Sequence, residues 1–175
     1  MIYKKFVKLV EDHADLLTKN WMDEVKTNPS TAGYRNFSDE VLGARVYDVY
    51  KRLGDWLFKE DPSYEKTAAH YIALGKERAK EGLKVSEVIY ALILTRVVMW
   101  KYVTSQGIVD SAIDMYEALE FYRRVNAFFD KAAYFVAVGF ETAGPAAPGE
   151  KTTPEFIEKA VKAVDKFYFT DIRKL

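Results

Sequence analysis

The fold is decided by residues 70–103, which read HYIALGKERAKEGLKVSEVIYALILTRVVMWKYV. The pattern predicts a helix that ends near Glu81, a tight corner at Gly82 and a second helix that begins near Ser86. Apolar residues occupy nearly every face of the second helix, which is typical of a helix buried at the centre of a bundle. This stretch therefore predicts an all-α fold.

Apolar residues recur at spacings of three and four in the segments that precede this stretch. The spacing predicts a continuous first helix from Tyr3 to Trp21 and, after an irregular connector at 27–37, a second helix from Ser38 to Trp56. The sequence contains no strand pattern. Helices of this length and rhythm predict a bundle.

Gly75 lies in the middle of the third predicted helix, which begins where Asp61 and Pro62 break the second. A glycine at such a position costs about 1 kcal/mol relative to alanine unless close packing requires it. We therefore expect Gly75 to mark a point where two helices cross.

The fifth predicted helix, from Asp110 to Glu141, has two adjacent apolar seams. The inner seam consists of Ala118, Phe121, Val125, Phe128, Ala132, Phe135 and Gly139. The outer seam consists of Met115, Leu119, Tyr122, Asn126, Phe129, Ala133, Val136 and Phe140. Two readings are open: the helix packs between two neighbours of its own bundle, or the outer seam is a homodimer interface with Asn126 fixing the register.

The C-terminal part divides by composition into a linker and a tail. Residues 143–154, AGPAAPGEKTTP, predict a linker between a helical bundle at 1–142 and a short amphipathic helix in 155–175. Such a basic amphipathic tail can dock on its own domain, on a partner or on a membrane surface, and the first is the prediction. The chain is thus predicted to be a single bundle of about five main helices plus this tail.

Composition excludes several classes of protein. The 26 basic and 26 acidic residues cancel, which disfavours nucleic acid as a partner. The chain has no cysteine, so disulfides and thiolate metal sites are excluded. The N-terminus has no signal-peptide pattern, and the longest apolar run, Val88 to Trp100, is shorter than the roughly 20 residues of a membrane span. These features predict a cytoplasmic protein without a transmembrane segment.

No catalytic constellation is found in the sequence. Glycine-rich phosphate loops are absent, and the two histidines, His13 and His70, belong to no HExxH or ExxH motif. We therefore expect neither enzymatic activity nor a bound metal or other cofactor.

His70 and Arg96 are the two candidates for a ligand pocket. His70 is interpreted as a core or half-buried imidazole, with a haem ligand as the alternative. Arg96 interrupts the apolar fourth helix, where it can form a structural ion pair, with Asp48 or Glu117, or anchor an anionic ligand. The structural reading is preferred for both residues.

The run LGKERAKEGLKVSEVIYALILTRVVMWKYV, with the upstream segments NWMDEVK, YRNFSDEVL and LGDWLF, resembles the RsbRD N-terminal family of helical domains. The corner Gly75-x-x-Arg78-x-x-x-Gly82 is the most specific element of a resemblance that covers about residues 15–140. Members occur at the front of bacterial sensor kinases, transcriptional regulators and stressosome-type proteins, and the family has no catalytic motif. The resemblance implies a sensory or protein-interaction domain.

The sequence and the resemblance together predict a non-enzymatic bacterial signalling domain that acts through protein–protein contacts. In this chain a linker and one short helix follow helix five, where relatives carry an output domain, so we expect a stand-alone relative that either signals by binding another protein or has a changed role. The alternative is a sensor that binds haem or a small ligand.

Overall fold

The computed structural model describes residues 3–58, 64–143 and 153–168, with the side chains described as far as residue 162. The described chain forms α-helices and one 3-10 helix and contains no strand, so the predicted all-α class is confirmed. In order, the helices are α1 Lys4–Asp12, α2 Ala14–Thr27, the 3-10 helix Pro29–Asn36, α3 Asp39–Lys51, α4 Leu53–Phe58, α5 Glu65–Lys80, α6 Val85–Ser105, α7 Ala112–Glu141 and α8 Pro154–Tyr168.

The chain divides into two compact units. The first unit contains residues 1–59 and 90–129, and the second contains residues 60–89 and 130–175. The helices α6 and α7 contribute residues to both units. The predicted break at Asp61 and Pro62 and most of the predicted linker lie outside the described residues, so the division at 143–154 stays a prediction.

The first predicted helix is wrong as a continuous element, because it breaks at His13. The backbone of His13 has φ −117° and ψ 25°, and its N–H bonds to the carbonyl of Val10, three residues back. The ring Nδ1 lies within hydrogen-bond distance, 2.8 Å, of the Leu9 carbonyl oxygen. The imidazole therefore bonds to the last turn of α1 at the point where the chain turns into α2.

The second predicted helix is also divided, at Arg52, whose backbone has φ −120° and ψ 33°. Its predicted start is confirmed, because the Ser38 hydroxyl accepts a hydrogen bond from the Val41 N–H at 3.3 Å. At the start of α4, the Glu11 carboxylate accepts the Gly54 N–H at 2.8 Å. A side chain from α1 thus satisfies a backbone donor that the break at Arg52 leaves without a helical acceptor.

Two buried side chains form hydrogen bonds to the backbone of α6 within the first unit. The Trp21 indole N–H donates to the Ala91 carbonyl at 3.0 Å, and the Tyr50 hydroxyl donates to the Thr95 carbonyl at 3.0 Å. Burial raises the pKa of Tyr50 well above its usual value, which keeps the phenol protonated as a donor. Each bond satisfies a polar group that would be costly if buried alone. The middle of α6 is therefore tied to α2 and α3.

The corner between α5 and α6 forms where it was predicted. Gly82 has φ +79°, a conformation that favours glycine, and its N–H bonds to the Ala79 carbonyl at 3.1 Å. The Leu83 N–H bonds to the Arg78 carbonyl at 3.1 Å, which completes a Schellman motif. The Glu87 carboxylate then accepts the Lys84 N–H at 3.0 Å and caps the start of α6. Backbone geometry therefore explains why this corner requires Gly82.

Gly75 lies at a close helix crossing, as the sequence predicted. A Cβ added at Gly75 would lie 3.1 Å from the Cα of Gly139 and closer still to the carbonyl oxygen of Val136. A Cβ added at Gly139 would meet the backbone of Ile72 and Gly75 in the same way. In the second unit, α5 and the end of α7 thus touch backbone to backbone, and both glycines are required for that approach.

The predicted tail helix packs on its own chain, because α8 contacts α5 in the second unit. Ala160 and Val161 are buried, whereas Lys162 is exposed. The prediction that the tail docks on its own domain is thereby confirmed for the described part of α8. The side chains of Val164, Phe167 and Tyr168 lie outside the described residues.

Candidate functional site

The start of α7 is fixed by a capping motif and by α1. The Ser111 hydroxyl accepts the Asp114 N–H at 3.1 Å and donates to the Asp114 carboxylate at 2.6 Å. Lys5 on α1 pairs with Asp114 and lies 3.4 Å from Glu117. Phe6 stacks on Phe121 of α7 with ring centroids 5.6 Å apart. One side of α7 in the first unit is therefore covered by α1.

The ion pair between Lys5 and Asp114 leads to a prediction about how stability depends on pH. The hydrogen bond from Lys5 and a second from Ser111 lower the pKa of Asp114 from 3.8 to about 2. Because the folded pKa is depressed, this carboxylate contributes stability above pH 3.8, and the contribution is lost as the pH falls towards 2. In Lys5→Met we expect the Asp114 pKa to rise towards 3.8, measured by NMR of the carboxyl carbons. Asp12, held by Lys8, is the internal control and should not move, and an unchanged Asp114 would contradict the assignment.

The inner seam of α7 is buried along its whole length. Every member is buried, the first four in the first unit and the last three in the second: Ala118, Phe121, Val125, Phe128, Ala132, Phe135 and Gly139. Phe128, for example, packs against Trp56 with ring centroids 5.7 Å apart. The inner seam is therefore the surface through which α7 joins the interior of the protein.

The outer seam divides into an exposed half and a buried half. Met115, Leu119 and Tyr122 are exposed, Leu119 by 59%, and Asn126 is half-buried. Phe129 is only 3% exposed and Val136 is fully buried, while Ala133 and Phe140 are half-buried. The prediction that the whole outer seam is an interface is wrong at Phe129 and Val136, because their side chains already pack inside the chain. Only the first half presents a free apolar surface.

A neighbouring strip of α6 extends this exposed half. The Trp100 ring lies 4.8 Å from the Tyr122 ring, centroid to centroid, and Trp100 is half-buried. Ile93 is exposed and Val97 is half-buried, on the same side of α6 as Trp100 because they are spaced by four and three residues. We name the combined surface the α6–α7 face; it consists of Ile93, Val97, Trp100, Met115, Tyr116, Leu119 and Tyr122.

The α6 contribution to this face was not predicted from the sequence. The expectation that α6 is buried all round is wrong, because its side at Ile93, Val97 and Trp100 reaches the surface. The spacing of these three residues repeats the rhythm of the α7 seam. This spacing could not be recognised as a separate exposed side, because nearly every position of α6 is apolar.

His70 and Arg96 are not brought together in one described site. The interpretation of His70 as a core or half-buried residue is wrong, because it is exposed, with its ring edge-on to Tyr71 at 4.9 Å. Arg96 is half-buried and belongs to the first unit, whereas His70 belongs to the second. The suggested acids have other contacts: Asp48 pairs with Arg52, and Glu117 with Lys5. A ligand role for either residue stays a prediction.

A polar groove of about 500 Å³ lies between α2 and α6 in the first unit. Its lining carries both signs of charge, with Glu24 and Lys101 only 3.9 Å apart. Both side chains are well exposed, so water screens their charges. Within the described ranges, no group of three or more His, Cys, Asp and Glu side chains could hold a metal ion. The expectation of no cofactor stays a prediction.

By length and composition alone, α6 is apolar enough to cross a membrane, with a mean hydropathy of 1.3 over its best window. A core helix of a soluble protein meets the same criterion. In this structure 39% of that window is buried, and Trp21 and Tyr50 donate buried hydrogen bonds to α6 carbonyls.

The described residues form an all-α protein that exposes apolar side chains on the α6–α7 face. Residues 15–150 match the family described as the RsbT co-antagonist protein rsbRD N-terminal domain, and the chain belongs to that family. Family members are regulatory domains of the stressosome type, so the chain is a signalling or regulatory domain. Neither the curated proteins nor the solved structures contain a match.

Proposed function

We propose that this protein is a non-enzymatic signalling domain of the bacterial cytoplasm that acts by binding other protein chains and forms a homodimer through the α6–α7 face. The observation that carries the proposal is the set of exposed apolar side chains on α7, namely Met115, Tyr116, Leu119 and Tyr122, with the half-buried Trp100 of α6 in contact with Tyr122. Contiguous apolar surface of this kind marks interaction sites, since single exposed hydrophobic residues are common but clusters are not.

The residues of the face suit a helical interface. Tyrosine, tryptophan and methionine are enriched at interface centres, and Tyr122, Trp100 and Met115 meet that description. Met115, Leu119, Tyr122 and Asn126 follow the four-three rhythm by which helices pack side by side. Two copies related by a twofold axis would pair two helices with two helices, a four-helix arrangement.

The charges near the face do not oppose self-association. The chain has no formal net charge, so two copies do not repel each other at long range. Arg123 borders the face, and its guanidinium donates to the Glu120 carboxylate at 2.9 and 2.8 Å. Because Glu120 neutralises Arg123 within each chain, the Arg123 side chains of two copies repel each other less when the faces meet.

A signalling role requires two states, and α7 is the element suited to report them. It has 30 residues and contributes residues to both compact units. A change in how the helices α5, α6 and α7 pack against one another would therefore be transmitted along α7. A ligand or partner protein would act by binding one packing more tightly than the other.

The mass of the unmodified chain in solution tests the dimer. By sedimentation equilibrium we expect twice the 20.1 kDa of one chain. A single-chain mass at every concentration would contradict self-association through any surface.

A further inference from the structure

The polar groove between α2 and α6 contains charged and polar groups that the protein itself leaves available. In the part of the chain that the structure describes, neither the Asp23 carboxylate nor the Asn20 side-chain amide makes a hydrogen bond or an ion pair. Glu24 and Lys101 lie 3.9 Å apart, too far for a hydrogen bond, and both are well exposed. Such a pair contributes little stability, so a ligand can bind either partner at little cost.

The groove also has the size of a small-molecule site and an apolar part of its lining. Its volume, about 500 Å³, lies within the range of about 300–1,000 Å³ that is typical of such sites. Val98 is buried, and the half-buried Tyr102 lies on the same side of α6, four residues further along the chain. Together these two side chains offer an apolar surface to a short aliphatic chain.

The formal charges of the lining restrict the class of ligand. Asp23 and Glu24 supply two carboxylates and Lys101 supplies one ammonium, so the lining carries a net negative charge. A ligand with one carboxylate and two cationic groups would pair with all three of these side chains. An α-amino acid has its carboxylate and its ammonium on one carbon atom, which suits the short separation between Lys101 and Glu24. A second cationic group, at the end of an aliphatic side chain, is then left for Asp23.

We propose that the groove between α2 and α6 binds a basic α-amino acid. The carboxylate of the ligand pairs with Lys101, its α-ammonium with Glu24 and its side-chain cation with Asp23. Its methylene groups lie against Val98 and Tyr102. Because the charged contacts are all to exposed side chains, we expect a Kd on the order of millimolar for a ligand of about ten non-hydrogen atoms. No residue of the groove belongs to the α6–α7 face, so the site does not depend on the homodimer.

The test is a titration of the full-length protein with two probes, followed by NMR of the backbone amides. The probes are L-lysine and cadaverine, which is lysine without its carboxylate. L-Lysine should shift the amide signals of residues 20–27 and 98–105 until the groove is saturated. It should bind about threefold more tightly than cadaverine, because only L-lysine offers a carboxylate to Lys101.

Two variants assign the two ends of the ligand. In Lys101→Met the preference for L-lysine over cadaverine should disappear or reverse, because the ammonium that pairs with the carboxylate is gone. In Asp23→Asn both probes should bind about threefold more weakly, because both lose a partner for an ammonium. Lys19→Met and Asp15→Asn are the matched controls, since they remove the same charges at exposed positions of α2 outside the groove. Neither control should change the affinity for either probe.

Three results would overturn the proposal. The first is the absence of saturable shifts at probe concentrations roughly tenfold above the expected Kd. The second is a set of shifts that maps to residues outside the groove. The third is a preference for L-lysine that survives in Lys101→Met, because the carboxylate of the ligand would then not pair with Lys101.

Discussion

Gly75→Ala should lower the free energy of unfolding, because the helix crossing leaves no room for a methyl group at that position. The new Cβ would lie 3.1 Å from the Gly139 Cα and would overlap the Val136 carbonyl, which are backbone atoms that cannot rotate away. Overpacking of this kind costs about 1–3 kcal/mol or more, against roughly 1 kcal/mol gained in helix propensity. We expect a net loss of about 2 kcal/mol and a melting temperature roughly 4–8 °C lower, measured by circular dichroism.

Gly43→Ala is the matched control for this prediction. Gly43 also lies inside a helix, α3, but a Cβ there would make only ordinary contacts, 3.7 Å from the Met22 sulfur and 3.8 Å from a Thr18 methyl carbon. The variant should keep or raise the melting temperature, because alanine is the better helix former. If Gly75→Ala melted no lower than Gly43→Ala, the backbone contact between α5 and α7 would be refuted.

Phe129→Glu should unfold the protein, although Leu119→Glu on the same seam of α7 should not. Phe129 is 3% exposed and packs against Phe128 with ring centroids 5.1 Å apart. Removing a buried phenylalanine costs about 3–5 kcal/mol, and burying a carboxylate adds several more. That sum approaches the whole stability of a typical domain, about 5–15 kcal/mol.

Leu119 is 59% exposed, so a carboxylate at that position remains in water. We expect Leu119→Glu to keep a cooperative thermal transition, while Phe129→Glu loses it or melts far lower. A Phe129→Glu protein that melts like the wild type would show that the buried half of the outer seam is not part of the core.

The sequence predicted those features that depend on local chemistry. Gly82 was identifiable because only a glycine readily adopts the positive φ of a helix C-cap. Gly75 stood out because a glycine in a helix interior is unfavourable without a close neighbour. Ser38 was recognisable as a cap by its position before an acidic first turn. Each of these residues has one dominant physical reason, and that reason can be read without knowledge of the tertiary structure.

Features that depend on neighbours far along the chain were not predictable. The three-four rhythm continues through His13 and Arg52, so periodicity could not reveal that the backbone changes direction there. The rhythm also continues from Leu119 to Phe129, although the first is exposed and the second is buried. Periodicity shows which side of a helix is apolar, but not where along its length another helix covers it.

The central proposal is that the exposed α6–α7 face joins two copies of the chain. The most direct test compares the mass in solution of the Leu119→Glu and Leu16→Glu variants with the mass of the wild type. Leu16 is also an exposed leucine, at 45%, but it lies on α2 outside the face. Native mass spectrometry should show Leu119→Glu at the 20.1 kDa of one chain, with Leu16→Glu and the wild type at twice that mass. A Leu119→Glu protein that remains as dimeric as the wild type would contradict the assignment of the face.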